Sequence, residues 1–471
     1  MNTDTDLGSN SGFQNDASTA TNIVNDLIEE NPNYPIIITQ VKTNQIPFMP
    51  SILQDHLTAT ISNATTFSSF VQQSELLQRK LVSNGLIDSM QQSIDAVPMT
   101  RTIQPKIINS FIENNKNNVL ALQPYYHFSP IKKFMAKTGS KIGNGEGDGY
   151  LEFQLRNYFG TGEKFILDCK RGTKTKSSIL FQYMQPFKVW YTLNNSFYSN
   201  NRQTNGINYE FKGLKMELAT AYLPGMIRSG TGLDDNKTLW NHALSFDTCS
   251  RITSNMVTRR SSSLLHQCGE DWKNSLCYTL VNDTRDNIVT PTMGSLFKVS
   301  TEWEFLQKWT KQQFEIVKAF KIGKGFSLIG TIKCGNIFKL DPDVVVPYYD
   351  KFQLGGGNDV RGFNVMGLGD KECSDACGGH AYLTYGISLI RPVVKDSSFK
   401  WHLFTNGGKL TSNGSGSLSN LFKEYSTACG VGIMFTHPAA RFELNFTLPI
   451  TMHSTDSCRK GFQYGIGMCF L

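Results

Sequence analysis

Phe442-Glu443-Leu444-Asn445-Phe446-Thr447-Leu448 puts an apolar side chain at every second position and a polar one between. Successive side chains of a β-strand point to opposite faces, so this stretch has one apolar face and one polar face. The same period of two recurs at Leu151/Phe153/Leu155, at Phe297/Val299/Thr301/Trp303/Phe305 and at Tyr464/Ile466/Met468/Phe470. Each segment runs about 9–11 residues, the length a tilted strand needs to cross a bilayer. About sixteen such segments, give or take two, follow one another from Phe134 to Leu471; an even number closes an antiparallel sheet without edges. A soluble sandwich also alternates, but its strands average about 5–6 residues. The pattern predicts a mainly β protein, an about 16-stranded antiparallel transmembrane β-barrel over residues 130–471.

The connections agree. Short turns at Gly160-Thr161-Gly162, Gln185-Pro186, Gly323-Lys324-Gly325 and His437-Pro438-Ala439 fall mostly on one side. Longer polar connections at 199–208, 250–274, 337–378 and 408–425 fall on the other, as in outer-membrane barrels. The 224–236 connection breaks the rule. No stretch approaches the ~18–20 apolar residues of a membrane-spanning helix.

The 471 residues include 40 Gly, 31 Phe and 17 Tyr, a composition suited to strands and turns. Lys and Arg total 46 against 39 Asp and Glu, and the net charge of +7 sits in no block, so no nucleic-acid partner is expected. No Lys or Arg precedes Lys42, whereas Asp4, Asp6, Asp16, Asp26, Glu29 and Glu30 do, which fits neither a secretory signal nor a presequence. The ten cysteines show no Cys-x-x-Cys pair, and Cys373, Cys377 and His380 read as reduced thiols and a lone histidine, not as metal ligands. The eight histidines are dispersed, and neither Gly-x-Ser-x-Gly nor His-Glu-x-x-His occurs. No enzyme, metal or cofactor is expected.

Ahead of the barrel lies a small α+β module over 34–125, after a polar tail (1–33) expected to be disordered. Pro35–Val41 reads as a strand and Pro50–Thr60 as a short helix. Phe67, Phe70, Val71, Leu77 and Leu81 share one face of a longer helix, capped by Thr65 or Thr66 and stopped at Asn84-Gly85.

Three motifs go beyond fold class. Asp283-Thr284-Arg285-Asp286-Asn287, with Pro291 and Gly294 following, is a turn fastened by paired acid and base. Phe352-Gln353-Leu354-Gly355-Gly356-Gly357-Asn358-Asp359-Val360-Arg361-Gly362-Phe363 lies in the longest connection. It lacks the Gly-Lys-Ser/Thr ending of a phosphate cradle. A buried Arg361 needs a carboxylate inside the barrel. Glu443 points inward if Phe442 and Leu444 face lipid, and Glu424 lies on an adjacent segment. The chain ends Gln463-Tyr464-Gly465-Ile466-Gly467-Met468-Cys469-Phe470-Leu471, polar-x-Gly-x-x-apolar-x-apolar.

On these motifs the chain resembles the central barrel of the mitochondrial sorting and assembly machinery, fungal type, in the superfamily that includes bacterial BamA. The resemblance covers nearly everything past residue 34 and is strongest over 283–471. It implies a POTRA-type module facing the intermembrane space and a multi-pass barrel in the mitochondrial outer membrane. Asp283, Arg285 and Asp286 match the family turn. Val360, Arg361, Gly362 and Phe363 match the signature by which the long loop folds into the lumen. Bacterial relatives carry an acid in the strand that here reads Leu403–Gly408, where Asn406 stands. Gln463, Gly465, Met468 and Phe470 match the sorting signal of mitochondrial barrels. The implied activity is insertion of β-barrel precursor proteins into the membrane. The implied partners are those precursors, peripheral cytosol-facing subunits of the machinery, the outer-membrane translocase, intermembrane-space chaperones and the phospholipid bilayer.

Physical chemistry supplies the mechanism to be expected. An unpaired strand N–H or C=O in hydrocarbon costs several kcal/mol, so an incoming strand needs a template edge. A barrel offers one by opening the seam between its first and last strands. Lys137, Thr138, Gly139, Ser140 and Gly143 would form one lip; Gln463, Gly465 and Gly467 would form the other, weakened by its glycines. Two rival readings are a solute channel of porin type and a polypeptide-translocating pore of the same superfamily.

Overall fold

The computed structural model describes residues 34–96, 120–143, 146–204, 207–222, 240–255, 261–323, 325–373, 375–394, 397–412, 424–437 and 440–467. The expected disordered tail, 1–33, lies outside these residues. The chain forms two compact units, one of residues 1–133 with 156–163 and one of 134–155 with 164–471.

The first unit is a small sheet covered by two helices. Its elements are β1 (Ile36–Ile38), β2 (Lys42–Thr43), α1 (Pro50–Ala59), α2 (Phe67–Ser83), β3 (Ile87–Ala96) and β4 (Leu120–Pro130). β4 is central: β1 and β2 pair with it in parallel, and β3 pairs antiparallel. Phe70, Leu77 and Leu81, at helical spacing on α2, pack against Leu122, Tyr126 and Phe128. Thr66 caps α2 by accepting a hydrogen bond from the Ser69 N–H, while the Ser69 hydroxyl accepts one from the Thr66 N–H. The helix stops at Asn84, followed by Gly85 at φ 71°. Two boundaries differ from the sequence reading. The strand expected over Pro35–Val41 shortens to β1, with β2 beyond its expected end, because the chain leaves the ladder after Ile38 and Lys42 rejoins it opposite Tyr125. β4 continues to Pro130, past Tyr125, because β3 pairs with it along nearly its whole length.

The second unit is one antiparallel sheet of sixteen strands. In chain order these are β5 (Phe134–Gly143), β6 (Glu146–Arg156), β7 (Lys164–Gly172), β8 (Thr175–Phe187), β9 (Tyr191–Thr204), β10 (Ile207–Thr220), β11 (Asn241–Asn255) and, after a short α3 (Ser262–Leu265), β12 (Gly269–Asp283). Next come β13 (Gly294–Glu304), β14 (Trp309–Gly323) and β15 (Phe326–Lys339). The long connection that follows contains the small hairpin β16 (Lys371–Glu372) and β17 (Asp375–Ala376). The wall resumes with β18 (Ala381–Pro392), β19 (Phe399–Thr411), β20 (Ser426–His437), β21 (Ala440–Thr451) and β22 (Gly461–Gly467). Each strand pairs with its neighbour in sequence, β15 with β18, and β5 and β22 are the two ends of the order.

The alternation becomes an outside and an inside. On β21, Phe442, Leu444, Phe446 and Leu448 are 40–53% exposed, while Glu443, Asn445 and Thr447 are at most 3% exposed. An apolar face turned to the surroundings over a polar, packed interior is the arrangement of a barrel in lipid.

Several strands run longer than expected. β9, β10 and β15 have 14 residues, and β11, β12 and β14 have 15, because polar segments such as Ser199–Thr204 continue the ladder beyond the apolar band. Consequently 199–208 is not a long connection: β9 ends at Thr204 and β10 begins at Ile207. The 250–274 connection shrinks in the same way to the residues between Asn255 and Gly269. Gln185-Pro186 is not a turn, since Pro186 pairs with Thr192 at the end of β8.

Candidate functional site

The connection between β15 and β18 packs into a core with the inner wall. Val346, Phe352, Leu354, Val360, Phe363 and Leu368 from the loop are buried against Trp309, Ile337, Tyr382, Leu410 and Ala428 from the strands. Removing this apolar area from water holds the loop inside.

Arg361 is the charged centre of that arrangement, and its side chain is fully buried. Its Nε lies 3.0 Å from Glu443 Oε2 and its Nη2 lies 3.3 Å from Oε1, a two-pronged pairing. Glu443 Oε2 also accepts from Asn445 Nδ2 at 2.8 Å, and Oε1 faces Arg441. One buried carboxylate thus serves two guanidiniums. The Arg361 guanidinium also stacks 4.8 Å above the Phe404 ring. Asn406, which stands where the bacterial pattern has an acid, donates from Nδ2 to the Arg361 carbonyl at 3.2 Å. It holds the loop backbone and leaves the charge to Glu443. Glu424 is not a partner of Arg361: it is exposed in the connection ahead of β20, where its carbonyl accepts from His453 Nε2 at 2.6 Å.

The neighbours of Arg361 fix the loop against the last two strands. Gln463 of β22 accepts from the Gly362 N–H at 2.8 Å and donates to the Phe363 carbonyl at 3.2 Å. Backbone bonds from Arg459 to Gly362 (2.8 Å), from Asn364 to Ser457 (3.0 Å) and from Ser457 to Gly367 (2.8 Å) tie the loop to the β21–β22 connection. Gly362 sits at φ 90°, and a Cβ there would lie 2.6 Å from the Ala428 Cβ, so only glycine fits. Val360 and Phe363 are fully buried on either side. No residue pattern foreshadows the backbone ties at Ser457 and Arg459. Arg441 and Asn445 could have been found, because they stand two residues either side of Glu443 on the same inward face.

The Asp283 turn closes on itself. Arg285 grips Asp283 through Nε (2.9 Å) and Nη2 (2.8 Å). Asp286 accepts from the Thr292 and Met293 N–H groups at 2.9 and 3.2 Å and from the Thr292 hydroxyl at 2.6 Å. Burial pulls the Asp286 carboxyl upward, but the bonds from Thr292 and Met293 outweigh it and hold it below its usual range.

At the two ends of the sheet, β5 and β22 approach each other, but no ladder joins them among the described residues. On β5, Lys137 lies 3.8 Å from Glu152, Thr138 donates to the Tyr150 carbonyl at 3.1 Å, and Gly139 leaves the space taken by the Tyr150 ring. Ser140 and Gly143 pair with Gly149 and Glu146 of β6. Over its described residues, Gly461–Gly467, β22 pairs with Arg441–Thr447 of β21. There Gln463 and Gly465 are buried on the inner side and Tyr464 is exposed. Gly467 is the last described residue; Met468 and Phe470 lie outside the described residues.

Away from these features, Cys373 is exposed, Cys377 Sγ faces the Asp375 carbonyl at 3.8 Å, and His380 Nδ1 bonds the Ser412 carbonyl.

The Omp85 superfamily domain matches residues 157–470, most of the barrel. The chain belongs to the Omp85 superfamily. Within it, the chain is 33% identical over 449 residues to the sorting assembly machinery 50 kDa subunit of Saccharomyces cerevisiae, covering 90% of this chain and 91% of that one. It therefore belongs to the family of sorting and assembly machinery 50 kDa subunits. A SAM50-like protein of Schizosaccharomyces pombe is 30% identical, with 72% of each chain covered. The human sorting and assembly machinery component 50 homolog is 24% identical, with 74% of this chain and 75% of that one covered. Among solved structures, BamA from Haemophilus ducreyi lacking POTRA domains 1–3 superposes with a TM-score of 0.66 at 13% identity, covering 92% of this chain and 84% of that one. CdiB from Acinetobacter baumannii gives 0.55 at 11% identity over 92% and 73%. At these identities the likeness concerns the fold alone.

Proposed function

We propose that this barrel inserts β-barrel precursor proteins into the mitochondrial outer membrane by opening the seam between β5 and β22. The carrying observation is a sixteen-strand wall whose end strands share no ladder among the described residues. The incoming terminal strand pairs with the exposed edge of β5, its backbone groups are satisfied before they meet lipid, and further hairpins follow. The wall supplies no covalent chemistry in this reading; its contribution is a template of main-chain donors and acceptors.

Membership of the sorting and assembly family supports the partners proposed with it. These are barrel precursors, peripheral subunits on the cytosolic side, the outer-membrane translocase and intermembrane-space chaperones, with the α+β module facing the intermembrane space as a POTRA-type domain. A solute channel is disfavoured by the lumen loop, whose buried core and Arg361–Glu443 pair occupy the space that ion flow requires. Depletion of the protein followed by import of a radiolabelled barrel precursor is the test. Loss of the assembled precursor is expected; assembly at the normal rate rejects the proposal.

A further inference from the structure

The lumen loop is held at a second place, far round the wall from Glu443. Asp350 lies eleven residues before Arg361 in sequence and is buried. Its Oδ2 accepts from Arg251 Nη1 of β11 at 2.8 Å, its Oδ1 accepts from Lys273 Nζ of β12 at 3.0 Å, and its carbonyl accepts from Lys311 Nζ of β14 at 2.8 Å. The adjacent Tyr349 stacks 4.3 Å from the Arg251 guanidinium and donates to Asp271 Oδ2 at 2.6 Å. Arg251 and Lys273 are themselves paired with Asp271 and Glu302. A loop segment that meets two wall strands through a buried carboxylate and a third through its main-chain carbonyl is a second charged anchor beside the one at Arg361.

The strand order β11-β12-β13-β14-β15-β18-β19-β20-β21 makes β11 and β21 eight steps apart in a sheet of sixteen, half-way round. Eleven residues reach about 36 Å when extended. Strand spacing and tilt give a sixteen-strand wall a bore of about 30 Å. The two anchors can therefore stand on opposite walls with the loop between them.

We propose that Asp350 is a positioning residue which makes the lumen loop a strut, bracing β21 and β22 against the β11–β14 wall. This rests on the seam-opening reading for its purpose. The β22 lip is clamped by Gln463 and by the ties at Ser457 and Arg459 to a loop that is itself pinned across the lumen. The side-chain ties of β5 at Lys137 and Thr138 run to Glu152 and the Tyr150 carbonyl of β6. Opening is then asymmetric: β5 and its neighbours swing, while β22 stays in place.

Hydrogen exchange of the full-length protein in liposomes tests the strut. Asp350→Asn keeps the shape and removes the charge. Exchange is expected to rise about tenfold both in residues 344–354 and in β22, residues 461–467, with β6–β8 unchanged. Asp350→Glu should restore protection at both places. Faster exchange around 350 with β22 unchanged overturns the strut. If Asp350→Asn does not reach the compact, heat-modifiable form on gels, Tyr349→Phe is measured instead, and the β22 peptide decides in the same way. Precursor assembly is measured in parallel. A loosened β22 with assembly unaffected would leave the strut standing and reject the seam reading.

Discussion

Glu443→Gln perturbs the loop anchor at its most charged point. The wild-type carboxylate takes two prongs from Arg361 at 3.0 and 3.3 Å, a third contact from Arg441 and an amide hydrogen bond from Asn445 at 2.8 Å. The substitution removes the charge that both guanidiniums share and turns an amide NH2 toward groups that can only donate. Breaking a buried ion pair by neutralising one partner costs about 3–5 kcal/mol, and the retained amide oxygen favours the lower end, about 3 kcal/mol. The assay is urea unfolding of the barrel in liposomes, followed by loss of the heat-modifiable gel band, alongside trypsin cleavage at the loop residues Lys351, Arg361 and Lys371. A lower urea midpoint and faster cleavage are expected. Arg361→Leu in the Glu443→Gln background should recover part of the loss, with a coupling energy of about 2 kcal/mol. A loss below about 1 kcal/mol with trypsin resistance unchanged would refute the claim that this pair holds the loop.

Three further outcomes are expected. Gly362→Ala forces an alanine to φ 90° and its Cβ against Ala428, and should cost about 2 kcal/mol or more, partly recovered by Ala428→Gly; urea midpoints of the single and double variants check it. Gln463→Leu leaves the Gly362 N–H and Phe363 carbonyl without their clamp, and should speed amide exchange at Gly362 about tenfold or more, with precursor assembly slowed. In the first unit, burial pulls the Lys80 ammonium down from 10.5 to about 8. Between these pH values the unfolded chain holds a proton the folded unit has released. Stability therefore rises with pH across that window by at most about 3 kcal/mol, and is lowest below pH 8. Amide exchange in α2, corrected for intrinsic rates, should show this slope, and Lys80→Met should flatten it.

What the sequence discloses follows from which environments differ sharply. A wall strand meets lipid on one side and a packed interior on the other, so Phe442–Leu448 could be read directly, and with it the inward direction of Glu443. The Thr66 cap and the Asn84-Gly85 stop were visible because they are local chemistry. The ends of the strands were not: Ser199–Thr204 and Gln185-Pro186 have the composition of connections, yet ladder pairing with β10 and β9 carries them. Nor was Asp350 visible. A carboxylate in a connection looks solvated until Arg251 and Lys273, from strands distant in sequence, are seen to converge on it, with Lys311 on the carbonyl of the same residue. Asn406 was conspicuous as a missing acid, but its service to a main-chain carbonyl depends on where the loop lies.

The most direct measurement is a register scan of disulfide formation between β5 and an arriving precursor. Single cysteines replace Lys137, Thr138, Gly139 and Ser140 in a cysteine-free background, and a cysteine is moved residue by residue along the precursor's last strand. Main-chain templating predicts bonds that advance two by two in an antiparallel or parallel register, with the opposite-facing positions silent. No bond to any of the four β5 positions, or bonds to β5 without any period of two, would contradict it.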